Sequence, residues 1–354
     1  MKKILITTGG TGGHVIPAKI IKEHLKNNFE IFYSSDIRGL KYFSSETNKI
    51  FIIDTPSLTL SLYFPFRLVK LIYLIFKVIF FLKKKKIEKV ISIGGYMSFP
   101  VIIAAKILGT TILLVEPNLV LGRGNKFFLN FSKKIICYSN KLSNFPKRHI
   151  HKMELIKPLV SKVFYGLEKN ENLDKKFCFL IFGGSQGAQV FDELIKETIF
   201  DISKNFSIKV FQQTRKDNIQ KLKDFYDSKN IENKIFSFEN KFHDLINKSD
   251  FCITRAGASS LAEITFLKKP FLAIPLPTAK DNHQMKNAQF YEELGCCWVL
   301  EQKNLNKEKL LNILFDILKE NSDLKMKKLN LEKLRYENSW SEMNKKLQRI
   351  INEN

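Results

Sequence analysis

Two stretches of this chain share one pattern. Residues 4–18 read "ILITTGGTGGHVIPA" and residues 177–188 read "FCFLIFGGSQGA". In each, an apolar run enters a glycine-rich turn that opens onto a helical segment. A buried parallel strand reads as a short continuous apolar run, and a glycine turn lets the following helix start close to the strand end. Two such openings in 354 residues predict an α/β protein with two Rossmann-like parallel-sheet domains. The first half supports this with strand candidates at 3–8, 30–34, 50–53, 89–93, 111–115 and 134–138. The second adds 208–212, 234–238, 250–254, 271–275 and 297–300. The linker is expected near Lys157-Pro158, and 305–354 reads as helices rich in Leu, Lys and Glu. No low-complexity linker intervenes, so the expectation is two domains facing across a cleft, with ligand at the carboxyl ends of both sheets.

The balance of charge is extreme, at +23 formally. A basic chain suits an anionic partner such as nucleic acid, an anionic membrane or a phosphorylated substrate, although a composition rich in Lys, Asn, Ile and Phe also produces solvated lysines. Five cysteines, Cys137, Cys178, Cys252, Cys296 and Cys297, form no C-x-x-C pair, which points away from a disulfide framework or zinc site and toward a reducing compartment. Met1-Lys2-Lys3 before an apolar run imitates a secretory leader, but the run breaks at Gly9, too early for one.

Residues 61–86, "SLYFPFRLVKLIYLIFKVIFFLKKKK", are the most apolar stretch. Its apolar part, 68–82, reaches roughly 22 Å as a helix, short of the ~30 Å hydrocarbon core. Lys70, Lys77 and Lys84 recur every seven residues along one face, and Phe66, Tyr73 and Phe80 along another. A helix lying in a membrane interface fits this pattern. A helix buried between sheet and partner fits it less well, and one face can serve each purpose.

The first glycine loop does not fit the familiar phosphate motifs. Gly10-x-Gly12-x-x-Val15 lacks the third glycine of the dinucleotide fingerprint, and neither loop carries Gly-Lys-Ser/Thr. Asp36 stands where a ribose-binding acid would, a signal that many strand ends share. What remains is backbone N–H groups open to an anion or sugar at a helix N-terminus. His14 falls in the first turn, where a neutral imidazole can take a proton from a hydroxyl or simply cap and pack. In "RAGASSLAEITFLKKP", 255–270, Ser259 or Ser260 can cap a helix whose first N–H groups, at Ala258–Leu261, point at a phosphate. Glu263 lies one turn in, either as a ribose ligand or as an ordinary acid near a helix start. His283 and Gln284 follow in "TAKDNHQMKNA", and Ser185 sits in the second glycine loop. No D-x-D triad is present, so a diphosphate leaving group would rely on helix N-termini and cations.

Together, "GGTGGH", "GGYMSFP" (94–100), "EPNLVLGRGN" (116–125), "GGSQGA" (183–188) and "RAGASSLAE…P…KDNHQMKNA" resemble the MurG family of lipid II synthases. These are UDP-N-acetylglucosamine:undecaprenyl-pyrophosphoryl-MurNAc-pentapeptide N-acetylglucosaminyltransferases. The motifs run in order over nearly the whole chain. The resemblance implies a GT-B fold, with an acceptor and membrane-associating domain at 1–157 completed by a helix at about 337–354, and a UDP-sugar domain at 158–336. It implies that Thr11, Gly12, Gly13 and Asn118 line the donor sugar, that His14 is the base, and that Tyr96 and Asn125 lie on the acceptor side. Ser185 and the Ala258, Ser259, Ser260, Leu261 turn would hold UDP, Glu263 the ribose, the Phe238-Glu239 backbone the uracil, and Gln284 the donor sugar. It further implies no metal and no cofactor, no nucleic-acid partner, an anionic membrane surface met through 61–86, and a peripheral place on the cytoplasmic face of the inner membrane.

The sequence departs from the family in three places. Pro117 replaces a glutamine, Phe99 replaces a glycine, and the family's donor-contacting arginine is missing from Ile156–Lys162, where Lys157 or Lys162 would be a point charge without a bidentate fork. Two other readings fit the residues less completely. One is a GT-B transferase with a different lipid acceptor, which the residues Tyr96–Pro100 and Asn125 would discriminate. The other is a non-catalytic basic protein binding membrane or nucleic acid, which predicts no affinity for nucleotide sugars.

Overall fold

The computed structural model describes residues 1–43, 50–56, 63–168, 176–183, 189–320, 322–334 and 339–353. The chain divides into two compact units, Met1–Lys162 joined by the C-terminal helix, and a second unit beginning at Val163.

The first unit runs β1 (Lys2–Thr7), α1 (Gly12–Leu25), β2 (Phe29–Ser35), α2 (Ile37–Leu40), β3 (Ile50–Ile52), α3 (Phe64–Lys85), β4 (Lys89–Ser92), α4 (Phe99–Ile107), β5 (Thr111–Glu116), α5 (Arg123–Phe128), β6 (Lys134–Cys137) and β7 (Met153–Leu155). The second runs β8 (Phe177–Phe182), α6 (Gln189–Ser203), β9 (Ile208–Gln213), α7 (Ile219–Ser228), β10 (Glu232–Phe236), α8 (Phe242–Lys248), β11 (Phe251–Thr254), α9 (Ala258–Phe266), β12 (Phe271–Ala273), α10 (His283–Glu293), β13 (Cys297–Val299), α11 (Lys307–Glu320) and α12 (Ser322–Glu332). The closing helix α13 (Trp340–Asn352) belongs to the first unit.

Both sheets are wholly parallel. Their orders are β3-β2-β1-β4-β5-β6-β7 and β10-β9-β8-β11-β12-β13. Each order reverses beside its first strand, between β1 and β4 and between β8 and β11. Such a reversal opens a crevice at the carboxyl ends of the strands. The expected pair of Rossmann-like parallel sheets is therefore present. The strand β7, pairing Met153–Leu155 with Ile135–Cys137, was not foreseen, since three residues carry too short an apolar signal.

Strand alternation sorts the first unit's core onto two faces. Ile4 and Ile6 pack with Val15, Ile21 and Leu25 of α1 and with Met343, Leu347, Ile350 and Ile351 of α13. Leu5 points the other way, into Val90, Leu114, Val101 and Ile102, with Leu74, Val78 and Leu82 of α3. The helix α13 starts at a capping box between Ser339 and Glu342 and buries positions spaced four, three and one apart, one face of a helix. It is also held by polar contacts. The His24 ring stacks on Trp340 with centroids 3.4 Å apart, its Nδ1 donates to Asn344 Oδ1, and Lys89 Nζ donates to the Ile351 carbonyl. Burial drives the His24 pKa down to about 4, so the imidazole is neutral in the fold.

The helix α3 is longer than the apolar segment suggested, covering 22 residues. Leu71, Leu74, Val78 and Leu82 face the core. Phe66, Val69, Tyr73, Phe76 and Phe80 are all exposed, and the helix ends at Lys86, whose φ of 55° stops it in the left-handed region. Among the described residues no helix is long and apolar enough to cross a membrane.

Candidate active site

In the first unit, the loop after β1 and the loop after β4 flank the switch point. Gly10 has φ 77°, a conformation that favours glycine. A Cβ on Gly9 would stand 2.6 Å from Asp36 Oδ1, so a side chain there would collide. Asp36 explains the shape of this loop. It is 3% exposed, and its Oδ1 accepts from Gly10 N at 2.7 Å and Gly39 N at 3.0 Å. Its Oδ2 is paired with Arg38 Nη2 at 2.8 Å. The Asp36 carboxylate is thus spent on the Gly10 and Gly39 N–H groups and on Arg38, not held open for a ribose.

The helix α1 then begins at Gly12, with Thr11 at its N-cap and no side-chain cap or acid in its first turn. Its first N–H groups have no intrahelical acceptor. Thr11 and Gly13 are exposed, Gly12 is buried, and His14, third residue of the helix, is half-buried. Across the switch point, Gly94 and Gly95 have φ 92° and 82°. Tyr96 follows, 46% exposed, with its hydroxyl donating to the Thr55 carbonyl at 2.9 Å.

Glu116, at the end of β5, organises the next loop. It is buried and accepts from Asn118 N, Asn118 Nδ2, Gly122 N and Asn125 Nδ2 at 2.9–3.2 Å. Burial raises its pKa, and those four donors oppose the rise. Asn118 is half-buried. Asn125 is only 2% exposed and also donates to the Val115 carbonyl at 3.0 Å. Expected on the acceptor side, it packs beneath the loop against Gly94, where an added Cβ would meet Asn125 Nδ2 at 3.0 Å.

In the second unit, Ser185 lies outside the described residues. The loop after β11 leads into α9, whose N-cap is Gly257. Neither Ser259 nor Ser260 caps it as expected, and Ser259 Oγ is buried without a partner among the described residues. The residues Ala258–Leu261 form the first turn, with no acid in it; the Leu261 N–H donates to the Gly257 carbonyl at 3.0 Å, and those of Ala258, Ser259 and Ser260 precede the first intrahelical bond. Glu263 is half-buried. Its carboxyl has no hydrogen-bond partner among the described residues, and burial pushes its pKa up to about 8.

Gln284 Oε1 accepts from Leu276 N at 3.0 Å, which ties α10 to the loop after β12. Asp281 and Asn282 in that loop both have positive φ, a strained pair of the kind that clusters at functional sites. Phe238 is 77% exposed, and Glu239 beside it is paired with Lys234 at 2.6 Å. Where the family arginine is missing, Val160 is buried and Lys162 exposed, with Lys157 half-buried. Among the described residues no group of three or more His, Cys, Asp or Glu could hold a metal ion.

Sequence reasoning gave no role to Glu116 or to Arg255, although both sit inside the quoted motifs. The usable signal was position: a charged residue at the last step of a buried parallel strand needs an internal partner or a ligand.

Two doubly wound units, each with an open helix N-terminus at its switch point, are the architecture of the GT-B fold. The chain belongs to glycosyltransferase family 28: the family's N-terminal domain matches residues 4–137 and its C-terminal domain residues 178–342. It is 46% identical, over 100% of its length and 99% of the other's, to a Pelagibacter ubique protein called UDP-N-acetylglucosamine–N-acetylmuramyl-(pentapeptide) pyrophosphoryl-undecaprenol N-acetylglucosamine transferase. A Rickettsia bellii protein of the same name is 34% identical over 95% of this chain and 96% of its own. In fold, the chain is similar to crystalline MurG from Acinetobacter baumannii, with a TM-score of 0.79, 23% identity and coverage of 99% and 100%.

Proposed function

We propose that this protein transfers N-acetylglucosamine from UDP-GlcNAc to the C4 hydroxyl of undecaprenyl-pyrophosphoryl-MurNAc-pentapeptide, the lipid I to lipid II step of peptidoglycan synthesis. The observation that carries this reading is the 46% identity, end to end, with the transferase of that name. In the reaction, His14 takes the C4 hydroxyl proton as that oxygen bonds to the anomeric carbon. The bond from that carbon to the diphosphate oxygen breaks, its electron pair leaves with UDP, and the configuration inverts.

Thr11, Gly12, Gly13 and Asn118 approach the donor sugar, and Tyr96 the acceptor, with Asn125 acting through the loop it supports. Ser185 and the Ala258–Leu261 turn take the UDP phosphates. Glu263 accepts from the ribose hydroxyls, the backbone at Phe238-Glu239 reads the uracil, and Gln284 meets the sugar. No step is assigned to a metal or cofactor. Because the acceptor's polyprenyl chain is held in lipid, the enzyme works at the cytoplasmic face of the inner membrane. The exposed aromatics of α3 and Lys83–Lys86 suit that surface.

The test is UDP release from UDP-GlcNAc, with and without a lipid I analogue. Release only with that acceptor is expected. Release that is indifferent to it, or driven by another lipid, would sink the reading. His14→Ala should bind UDP-GlcNAc normally and lose about 10²- to 10⁴-fold in turnover.

A further inference from the structure

Four phenylalanines gather beside the loop after β4. Phe127 stacks on Phe99 with ring centroids 5.6 Å apart, and meets Phe128 and Phe131 edge-on at 5.7 Å each. Both arrangements suit the ring quadrupoles. Phe128 is 1% exposed and sits in the core with Val101 and Leu114. Phe99 and Phe131 are half-buried. Phe127 is 50% exposed, so one ring, backed by three others, is left open on the surface.

The cluster is mounted beside Tyr96. Phe99 opens α4, three residues further on. The helix α5, which carries Phe127, is seated on the glycine turn ahead of Tyr96: a Cβ on Gly124 would stand 3.4 Å from Gly95 N, C and O, and Asn125 lies against Gly94. Phe127 is thereby fixed relative to Tyr96. Phe99 stands where the family has a glycine, so the stacked pair is a feature of this chain. A lone exposed ring needs no explanation. This one lies on the side of the sheet that α3 covers, since Phe128 shares a core with Leu74, Val78 and Leu82. Its neighbour Lys126 is exposed and makes no ion pair among the described residues.

We propose that Phe127, stacked on Phe99, seats the first isoprene units of the acceptor's polyprenyl chain. The proposal rests on reading the protein as a transferase with a polyprenyl-linked acceptor. Such an acceptor joins an apolar chain to an anionic diphosphate, and α5 presents an aromatic ring and an exposed ammonium at consecutive positions. The helix α3, whose exposed aromatics suit lipid, covers the same side of the sheet, so a chain leaving lipid there reaches Tyr96 past this ring. Burying one methylene favours binding about fourfold, so contact worth two of them favours it about ten- to twentyfold. The seat holds the chain in ground state and transition state alike, so it acts on the acceptor KM and leaves kcat alone.

The test gives the full-length protein two soluble acceptors without vesicles: MurNAc-pentapeptide diphosphates carrying either a methyl group or a ten-carbon isoprenyl chain. The wild type should show a KM about ten- to twentyfold lower for the isoprenyl acceptor, with equal kcat. Phe127→Ser should bring that ratio close to one, and Phe127→Leu should keep most of it. An unchanged ratio in Phe127→Ser would overturn the proposal, as would a wild type with no preference for the chain. Equal weakening of both acceptors overturns it too, because it marks a ring that only supports the loop. If the serine variant does not fold, Phe99→Gly, with the family's residue, decides: a ratio kept at the wild-type value overturns the proposal, and a reduced one supports it. If the wild type turns over neither acceptor, the transferase reading fails. A ten-carbon isoprenyl diphosphate, titrated calorimetrically beside inorganic pyrophosphate, then tests the seat by itself. A preference for the isoprenyl compound that Phe127→Ser loses supports it, and one that is absent or kept refutes it.

Discussion

Asp36 and Glu263 are both acids beside a strand's carboxyl end, and their surroundings give them opposite chemistry. Asp36 meets two backbone N–H groups and Arg38, so it is occupied and shapes its loop. Glu263 meets none, and its pKa rises to about 8. Sequence spacing could not separate the two, because what differs is whether donors from distant elements arrive. If ribose hydroxyls donate to an ionised Glu263, binding selects the deprotonated form. UDP affinity should then rise about eightfold between pH 7 and pH 8.5, as the carboxyl ionises, and level off above. Calorimetric titration across that range checks it. Glu263→Gln should bind more weakly with no such slope, and a wild-type affinity flat in pH would remove Glu263 from the ribose. His14 was legible as a first-turn residue for a different reason: four glycines in six positions leave little freedom about where the helix starts.

The helices show where periodicity informs and where it stops. In α3 the core stripe Leu71, Leu74, Val78, Leu82 follows helical spacing, yet the sequence is so apolar all round that it could not say which face meets solvent. The structure leaves Phe66, Val69, Tyr73, Phe76 and Phe80 outside. Lys77 and Lys84 lie over the rings of Phe51 and Phe80, so part of the lysine stripe covers aromatic surface. The strand β7 was invisible because its pairing, not its composition, defines it. A membrane role for α3 makes a specific expectation. Phe76→Ser with Phe80→Ser should abolish sedimentation with vesicles of any charge. Alanines at Lys83–Lys86 should weaken binding to anionic vesicles by about 1 kcal/mol per lysine and leave neutral vesicles unaffected. Equal loss on both vesicle types would mean the lysines do not read lipid charge.

At the scale of the whole chain, the two parallel sheets were legible because strands buried on both faces read as continuous apolar runs. The polar interior was not, since a buried His24 or a bare Glu263 is set by tertiary contacts between residues as far apart as His24 and Asn344. These two groups give the units opposite responses to acid. His24 has a folded pKa of about 4 against about 6.5 when unfolded. As pH falls below 6.5 the unfolded chain gains a proton that the fold excludes, so stability of the first unit is lost, by about 2 kcal/mol at pH 5. Glu263 has a folded pKa of about 8 against about 4.3 unfolded. Between these values the fold holds a proton that the unfolded chain lacks, so acidification from pH 7 to 5 adds about 2.5 kcal/mol to the second unit. Scanning calorimetry at the two pH values isolates each term by difference. Relative to the wild type, His24→Gln should lose less stability on acidification, and Glu263→Gln should gain less. A variant that answers acid as the wild type does would remove its group from this linkage.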